Sequence, residues 1–500
     1  MLSLTKRSEP LVILFIFMTL LVSHTLTATP VSAAVFMVNS ALDVVDDNDG
    51  FCTLREAILA ANSGSSSGAA PGECPAGTGT DTIIVPGGIY TLNPALGQLP
   101  PVTQELTIIG DGATTTIIQA SDCNPVTDVT CTHEHRVFSV NVSGDLTLEK
   151  LTIRNGNKTG TTDNFGGGAV NYGKLHIVNS IVSGNRATYG AGVNNYWPTG
   201  ATTITGSRIT GNHALDHGGG VYGYNALEII NCAISGNTAD IGAGIFMTSN
   251  SVLTLVESIV TDNQAVAYAG GIYNNGILTV QNSSIGRNTA GLVGGGIRNF
   301  ATLTIVGSTL FENESTSYGG GIYNSGTLDI INSTFTGNNS VNNSGGGIFN
   351  TSGNLSVSHS TFAHNSAKLM GGGIYNYTNG NLSFANTIIT HSTPHDCYNV
   401  TPANILINSH NLVVNNADSP YGCGTPYMTA NPEINTLGNY GGPTKTHALD
   451  PSSPAIDAAD PAYCTPNDQR GVRRPQGFAC DIGAFELEKD VLIFLPLILK

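Results

Sequence analysis

Two aspartates occupy equivalent places in neighbouring copies of a repeated unit. Asp216 and Asp240 each stand two residues before a glycine-rich triplet, and His213 and His217 lie beside the first of them. Strands stacked side by side are about 4.8 Å apart, so the two carboxylates can be neighbours. Paired acids can divide the acid and base roles of glycoside hydrolysis. The same segment carries no Lys or Arg, and two exposed turn aspartates are the competing reading. A second constellation is aromatic. Tyr222, Phe246, Tyr273, Tyr323, Phe349 and Tyr375 recur at one phase of the repeat, and Arg298 interrupts them. Such rings could stack on sugars or accept a cation, unless they pack on one another or are covered by loops.

Three further groups invite a chemical reading. Asp43, Asp46, Asp47 and Asp49 precede Gly50 and cluster hard oxygen ligands suited to calcium. Val45 sits where an EF-hand needs an acid, so a structural calcium ion competes with a solvated turn. No motif calls for any other cofactor. Asp468, Arg470, Arg473 and Arg474 could pass for a catalytic cluster, but an ion-pair network fixing a small cap explains them more simply. Nine cysteines allow four local pairs by proximity, Cys52/Cys74, Cys123/Cys131, Cys397/Cys423 and Cys464/Cys480, although sequence leaves connectivity open. Cys232 is left over inside the repeat, where a thiol acts as a small buried hydrophobe.

The repeat positions all of this. Triplets begin at Gly166, Gly190, Gly218, Gly242, Ala269, Gly294, Gly319, Gly345 and Gly371, a period of about 26 residues. Units of that size cannot bury their own apolar face and must stack. Behind each triplet come an aliphatic, an aromatic and usually an asparagine, as in Ile322-Tyr323-Asn324. Strand side chains alternate, so Ile and Asn share the inner face and the ring takes the outer one. An inward Asn needs its amide paired, and successive amides can form a ladder. Runs such as Leu328–Phe335 alternate and are rich in β-branched residues. Each unit closes with an apolar residue, two variable positions and Asn, as at Ile209/Asn212, Ile234/Asn237, Ile285/Asn288, Phe335/Asn338 and Phe362/Asn365. Asn and Gly at such corners tolerate left-handed backbone angles. No helical period is visible within 160–395. Two or three short strands per unit make a parallel β-helix. A leucine-rich repeat would be shorter, and a propeller blade needs about 40 residues or more.

These coils resemble the right-handed parallel β-helix of the pectin-lyase-like fold, and the pairing of Gly-Gly-[Ala/Ile] with Phe-x-x-Asn is similar to the repeats of polymorphic outer membrane proteins. The resemblance covers roughly residues 80–425 and implies an all-β solenoid. It fixes no activity, since lyases, hydrolases, tailspikes and adhesins share the fold. Lyases of this type use calcium-bound carboxylates with a basic residue, which the Asp216/Asp240 segment lacks. Residues 36–62, with Phe51-Cys52-Thr53-Leu54-Arg55-Glu56-Ala57, resemble the CSLREA domain, with Thr53 in place of the motif's Ser. There Thr53-x-x-Glu56 is a capping box opening a short helix, and Leu54, Ala57, Ile58 and Ala61 form its apolar stripe. Such a helix can plug the open first coil. Residues 431–486, with Thr436–Gly442, Ser453–Asp457, Asp468–Gly471 and Asp481–Glu486, look like the choice-of-anchor Q domain. The combination is characteristic of bacteria.

The net charge is −16 and only 11% of residues are charged. That argues against nucleic acid, whose phosphates need a basic face. It also disfavours polyanions unless a cation mediates. Lys6, Arg7, the apolar run 11–22 and the small residues of Val31-Ser32-Ala33-Ala34 read as a secretory signal, too short to span a bilayer. The apolar C-terminal run 491–499 is also too short to span and reads as a sorting tag or an edge strand. The expected organisation is a signal peptide at 1–34, an N-terminal cap at 35–93, a right-handed parallel β-helix at 80–425, a small C-terminal cap at 426–488 and an apolar tail at 489–500. The expected function is that of an exported surface or secreted protein, extracellular or outer-membrane associated, adhesin-like and non-catalytic. Its partners would be polysaccharide or other cell-surface components, with no transmembrane span in the mature chain. A polysaccharide lyase or glycoside hydrolase is the alternative.

Overall fold

The computed structural model describes residues 33–488 apart from 47, 129, 197–199 and 401–403. The expected signal peptide at 1–34, up to residue 32, together with Asp47 and the apolar tail at 489–500, therefore lies outside the described residues. The described residues form one compact unit.

Strand pairing makes the chain a parallel β-helix. One coil runs through four strands, Lys174–Val178 in sheet A, Ile181–Ser183 in sheet B, Arg186–Tyr189 in sheet C and Val193–Asn195 in sheet D. Each pairs in parallel with the strand one coil on, giving sheets of 14, 13, 9 and 11 strands respectively. The pattern rules hold residue by residue. In Ile322–Asn324 the Ile and Asn are wholly buried and Tyr323 is half-buried outside. The inner aliphatics of all coils merge into one core from Phe36 to Cys423. The short strand of sheet C, often only two residues as at Glu314–Ser315, is the part of the coil the alternation did not reveal.

Buried polar groups are stacked rather than scattered. Asn274, Asn299, Asn324, Asn350, Asn376 and Asn399 form one amide ladder, each donating to the next Oδ1 at 2.7 Å. Asn185, Asn212, Asn237, Asn263, Asn288, Asn313, Asn338 and Asn365 form a second at the corner between sheets B and C, with Nδ2 to Oδ1 distances of 2.9–3.0 Å. A third column links Ser180, Ser207, Cys232, Ser258, Ser283, Ser308, Ser333 and Ser360 through backbone N–H donors. Two expectations change here. The left-handed residue at the corner is the one before the Asn, as with Gly211 and Arg287, because the Asn itself is needed inward. Cys232 is a rung of the serine ladder, its Sγ 3.4 Å from Ser207 N and 3.1 Å from Ile230 O.

Glycine serves two purposes in the triplets. The first residue has a left-handed φ, +70° at Gly294. The third lies against the next coil, where a Cβ on Gly296 would come 2.6 Å from the Gly321 carbonyl oxygen.

Both ends are stapled. Helix Leu54–Ser63 carries the expected capping box between Thr53 and Glu56, and Leu54, Ala57, Ile58 and Ala61 are buried in the continuous core. All four local disulfides are formed, Cys52–Cys74, Cys123–Cys131, Cys397–Cys423 and Cys464–Cys480. Residues 431–488 do more than cap the last coil. They fold back along the outside of sheet B as a strap. Gln469 bonds Thr309 and Thr334, Thr446 bonds Thr334, and the Ala484 N–H donates to Thr361. Those outward threonines are buried only because the strap covers them, whereas Ile259, at the same position two coils before Thr309, is 49% exposed.

Candidate functional site

The rings occupy one edge of the solenoid, where sheet C passes through the glycine turn into sheet D. In-register pairing brings each sheet D ring over the next: Tyr222 over Phe246 over Tyr273, then Tyr323 over Phe349 over Tyr375 over Tyr398. Centroids are 4.8–5.5 Å apart and planes lie within 8–15° of parallel. Tyr421 continues the stack at 5.3 Å. The outward position of the alternation is therefore as the sequence implies, but the ring faces are turned toward one another. Tyr222, Phe246, Tyr273, Tyr323 and Tyr375 are half-buried, and Phe349 is buried. Burial raises the pKa of Tyr222 and Tyr375 to about 12, so both hydroxyls stay protonated donors at neutral pH.

A second column runs parallel to the first, made by the residue before each triplet. Phe165, Tyr189 and His217 stack at 5.4 and 5.6 Å. Tyr268 and Tyr318 hold the same place further along. Phe165, Tyr189, Tyr268 and Tyr318, with Tyr398 and Tyr421, escaped the sequence reading, which had named His217 only as a neighbour of Asp216. Aligning on the position before the glycines would have found the column, and the ladder itself predicts its own continuation past Tyr375.

The acid pair falls in the same region. His217 lies opposite Ile241 in the register, so Asp216 and Asp240, the residues just before them, sit on adjacent coils. His217 Nδ1 is 2.7 Å from Asp216 Oδ1 but at an angle unfit for a hydrogen bond, so the contact is electrostatic. Burial lowers the His217 pKa, opposed by Asp216 and Asp240. Burial, with Asp216 alongside, raises that of the Tyr189 hydroxyl. His213 turns elsewhere, its Nδ1 2.7 Å from Thr238 Oγ1. The arrangement brings Asp216, His217, Tyr189 and Phe246 together, with a largely neutral imidazole packed edge-on against Phe246 at 4.4 Å.

The N-terminal acids have protein partners. Asp43 accepts two bonds from Arg55, at 2.7 and 2.8 Å, and one from Asn93 N at 2.7 Å. Asp49 accepts from Phe51 N in a turn, and Asp46 is exposed. Among the described residues no three of these carboxylates converge; the one group with metal-ligating donors close together is Cys123, Cys131 and His133, whose two sulfurs are joined as a disulfide.

In the strap, Asp468, Arg470 and Arg474 form a network. Arg474 and Glu486 pair at 3.0 Å with both side chains fully buried, Arg470 pairs with Asp468 at 2.8 Å, and the Arg470 guanidinium covers the Phe485 ring at 3.6 Å. Arg473 is exposed and stands outside it. This is the architecture of a structural clasp. Between strap and coils lie two clefts meeting at Pro443. One of about 510 Å³ is lined by Asn282, Asn332, Asn467 and Gln469, and one of about 360 Å³ by Thr261, Arg287, Phe311 and Lys445. In the second, Arg287 is tied to Asp262 at 2.8 Å.

No family model and no curated protein matches the chain. Among solved structures it is similar to the crystal structure of pectate lyase Pel9A, at 13% identity and a TM-score of 0.42 over 91% of this chain and 97% of that one. It is also similar to ORF18 of Geobacillus virus E2, at 15% identity and a TM-score of 0.32 over 61% of this chain and 53% of that one. The β-helix assignment stands on the chain's own strand register.

Proposed function

We propose that this chain is an exported, non-catalytic β-helix protein, an adhesin-like surface scaffold that binds glycans along its aromatic edge. The observation that carries the reading is the double column of rings, which runs from Phe165 to Tyr421 on one edge of the solenoid. Ring edges and tyrosine hydroxyls in a regular row suit a repeating polymer of hydroxyls and C–H groups. Rings more open to solvent lie along the row, Phe300, Tyr377 and Tyr421 among them. Four disulfides suit an oxidising compartment, in keeping with the signal segment. In this reading the helix-bearing N-terminal cap is a CSLREA domain, and the strap is a choice-of-anchor Q domain that holds the stack beside its surface attachment.

Titration of the purified chain with oligosaccharides, followed calorimetrically, tests this. Tyr273→Ala and Tyr323→Ala should each weaken binding about tenfold, the loss of one good aromatic contact. Unchanged affinity in both variants removes the aromatic edge from the account.

One observation favours a polysaccharide lyase or glycoside hydrolase instead. Asp216, His217 and Tyr189 meet where the inner Asn ladder is interrupted by Gly223 and Met247, and a break in a regular lattice is where chemistry would be placed. Product formation that depends on Asp216 and Asp240 would establish it.

A further inference from the structure

Arg298 takes the rung between Tyr273 and Tyr323, paired in register with both. Its guanidinium carbon is 3.9 Å from the Tyr268 ring centre, 4.3 Å from Phe300, 5.6 Å from Tyr273 and 5.7 Å from Tyr323. Four rings on several sides hold the planar cation by quadrupole attraction and fix its orientation. Their faces provide no conventional hydrogen-bond acceptor. Guanidinium has five N–H donors. The Nε of Arg298 is buried and makes no hydrogen bond, and among the described residues no carboxylate pairs with its Nη groups. Five other arginines of this acidic chain behave differently. Arg55, Arg136, Arg287, Arg470 and Arg474 each hold an Asp or Glu. Arg298 is half-buried, so its free side reaches solvent beside Phe300, itself 37% exposed.

We propose that Arg298 and its ring cage are the binding site for a single carboxylate on a sugar, taken in the two-pronged manner of guanidinium–carboxylate pairs while the sugar packs against Phe300 and the Tyr edges. The inference rests on the glycan-binding reading and deepens it by naming an acidic terminal sugar as the ligand. The occupant carries one charge rather than many, because a chain of net charge −16 repels a polyanion while one carboxylate meets one fixed cation.

The test uses the full chain, 3′-sialyllactose as the singly charged probe and lactose as its neutral counterpart. Arg298→Tyr places in this coil the ring its neighbours carry, so the ladder stays closed while the charge is lost. Arg298→Lys keeps the charge and loses the planar fork. The wild type should bind 3′-sialyllactose at least tenfold more tightly than lactose. Arg298→Tyr should bind the two alike, and Arg298→Lys should fall between. Were Arg298→Tyr not to fold, the Lys variant still decides, since it must lose part of the preference. Lactose bound as tightly as 3′-sialyllactose by the wild type, or a preference surviving in either variant undiminished, overturns this proposal and leaves glycan binding standing. Failure of the wild type to bind any neutral or acidic glycan overturns both.

Discussion

Removing one amide from the middle of the corner ladder should be among the most damaging changes a single side chain can suffer here. Asn313 is completely buried. Its Nδ2 donates to Asn338 Oδ1 and to Ile285 O, both at 2.9 Å. Its Oδ1 accepts from Asn288 Nδ2 at 3.0 Å and from Asn288 N at 3.1 Å. In Asn313→Ala the Asn288 backbone N–H is left buried with no acceptor, a cost of about 1–3 kcal/mol. The other three bonds are lost but each partner keeps another contact or can be partly compensated, at about 0.5–1 kcal/mol apiece. The total is about 2.5–6 kcal/mol before any cavity term. Asn354→Ala is the control, since Asn354 is exposed and its side chain accepts from Asn381 Nδ2 across the surface at 2.8 Å. It should cost less than about 0.5 kcal/mol. Urea unfolding monitored by far-ultraviolet circular dichroism measures both. A loss below about 1 kcal/mol for Asn313→Ala would refute the view that stacked amides, and not the aliphatic core alone, set the coil geometry.

Other expectations follow from single features. Cys232→Ser should change stability by less than about 1 kcal/mol, because Ser207 and Ser258 fill the same rung in adjacent coils, whereas Cys232→Ala should cost more. The wild-type thiol should react with a thiol reagent only after unfolding, being buried with its pKa pushed up by desolvation. Two buried groups should respond to pH in opposite senses. Burial lowers His447 from 6.5 to about 4, so its contribution is complete above pH 6.5 and is lost as pH falls through 4. The stability gap between wild type and His447→Gln should therefore shrink by about 3 kcal/mol from pH 7 to pH 4. Burial raises Asp481 from 3.8 to about 6, so its contribution is complete below pH 3.8 and is lost as pH rises through 6. The gap to Asp481→Asn should widen by about 2 kcal/mol over the same fall in pH. Denaturant midpoints at the two pH values check both, and parallel shifts would count against the burial of these side chains.

The lattice was legible because its physics is local. A period near 26, an inward Ile and Asn, and an outward ring are all consequences of alternation, and each recurs in Ile322-Tyr323-Asn324. The cap helix was legible from Thr53 and Glu56 for the same reason. What the sequence hid depends on contacts between distant segments. The strap's course along sheet B rests on pairs such as Gln469 with Thr309, 160 residues apart, which no periodicity encodes. The role of Arg298 was hidden differently. It was visible as an interruption of the aromatic column, but that it continues the stack as a cation became clear only from its distances to Tyr268 and Phe300. Asp216 and Asp240 were correctly brought to adjacent coils. Their meaning was not legible, because the His217 ring and the Tyr189 hydroxyl that share their environment come from the strand register.

The central claim is that this β-helix holds glycans without cleaving them. Prolonged incubation of the purified chain with a panel of neutral and acidic polysaccharides, assayed for new reducing ends and for unsaturated products, tests it most directly. The expected result is retention of intact polymer with no product above a heat-denatured control. Products that form with the wild type and disappear in Asp216→Ala or Asp240→Ala would contradict it and make this region of the aromatic edge an active site.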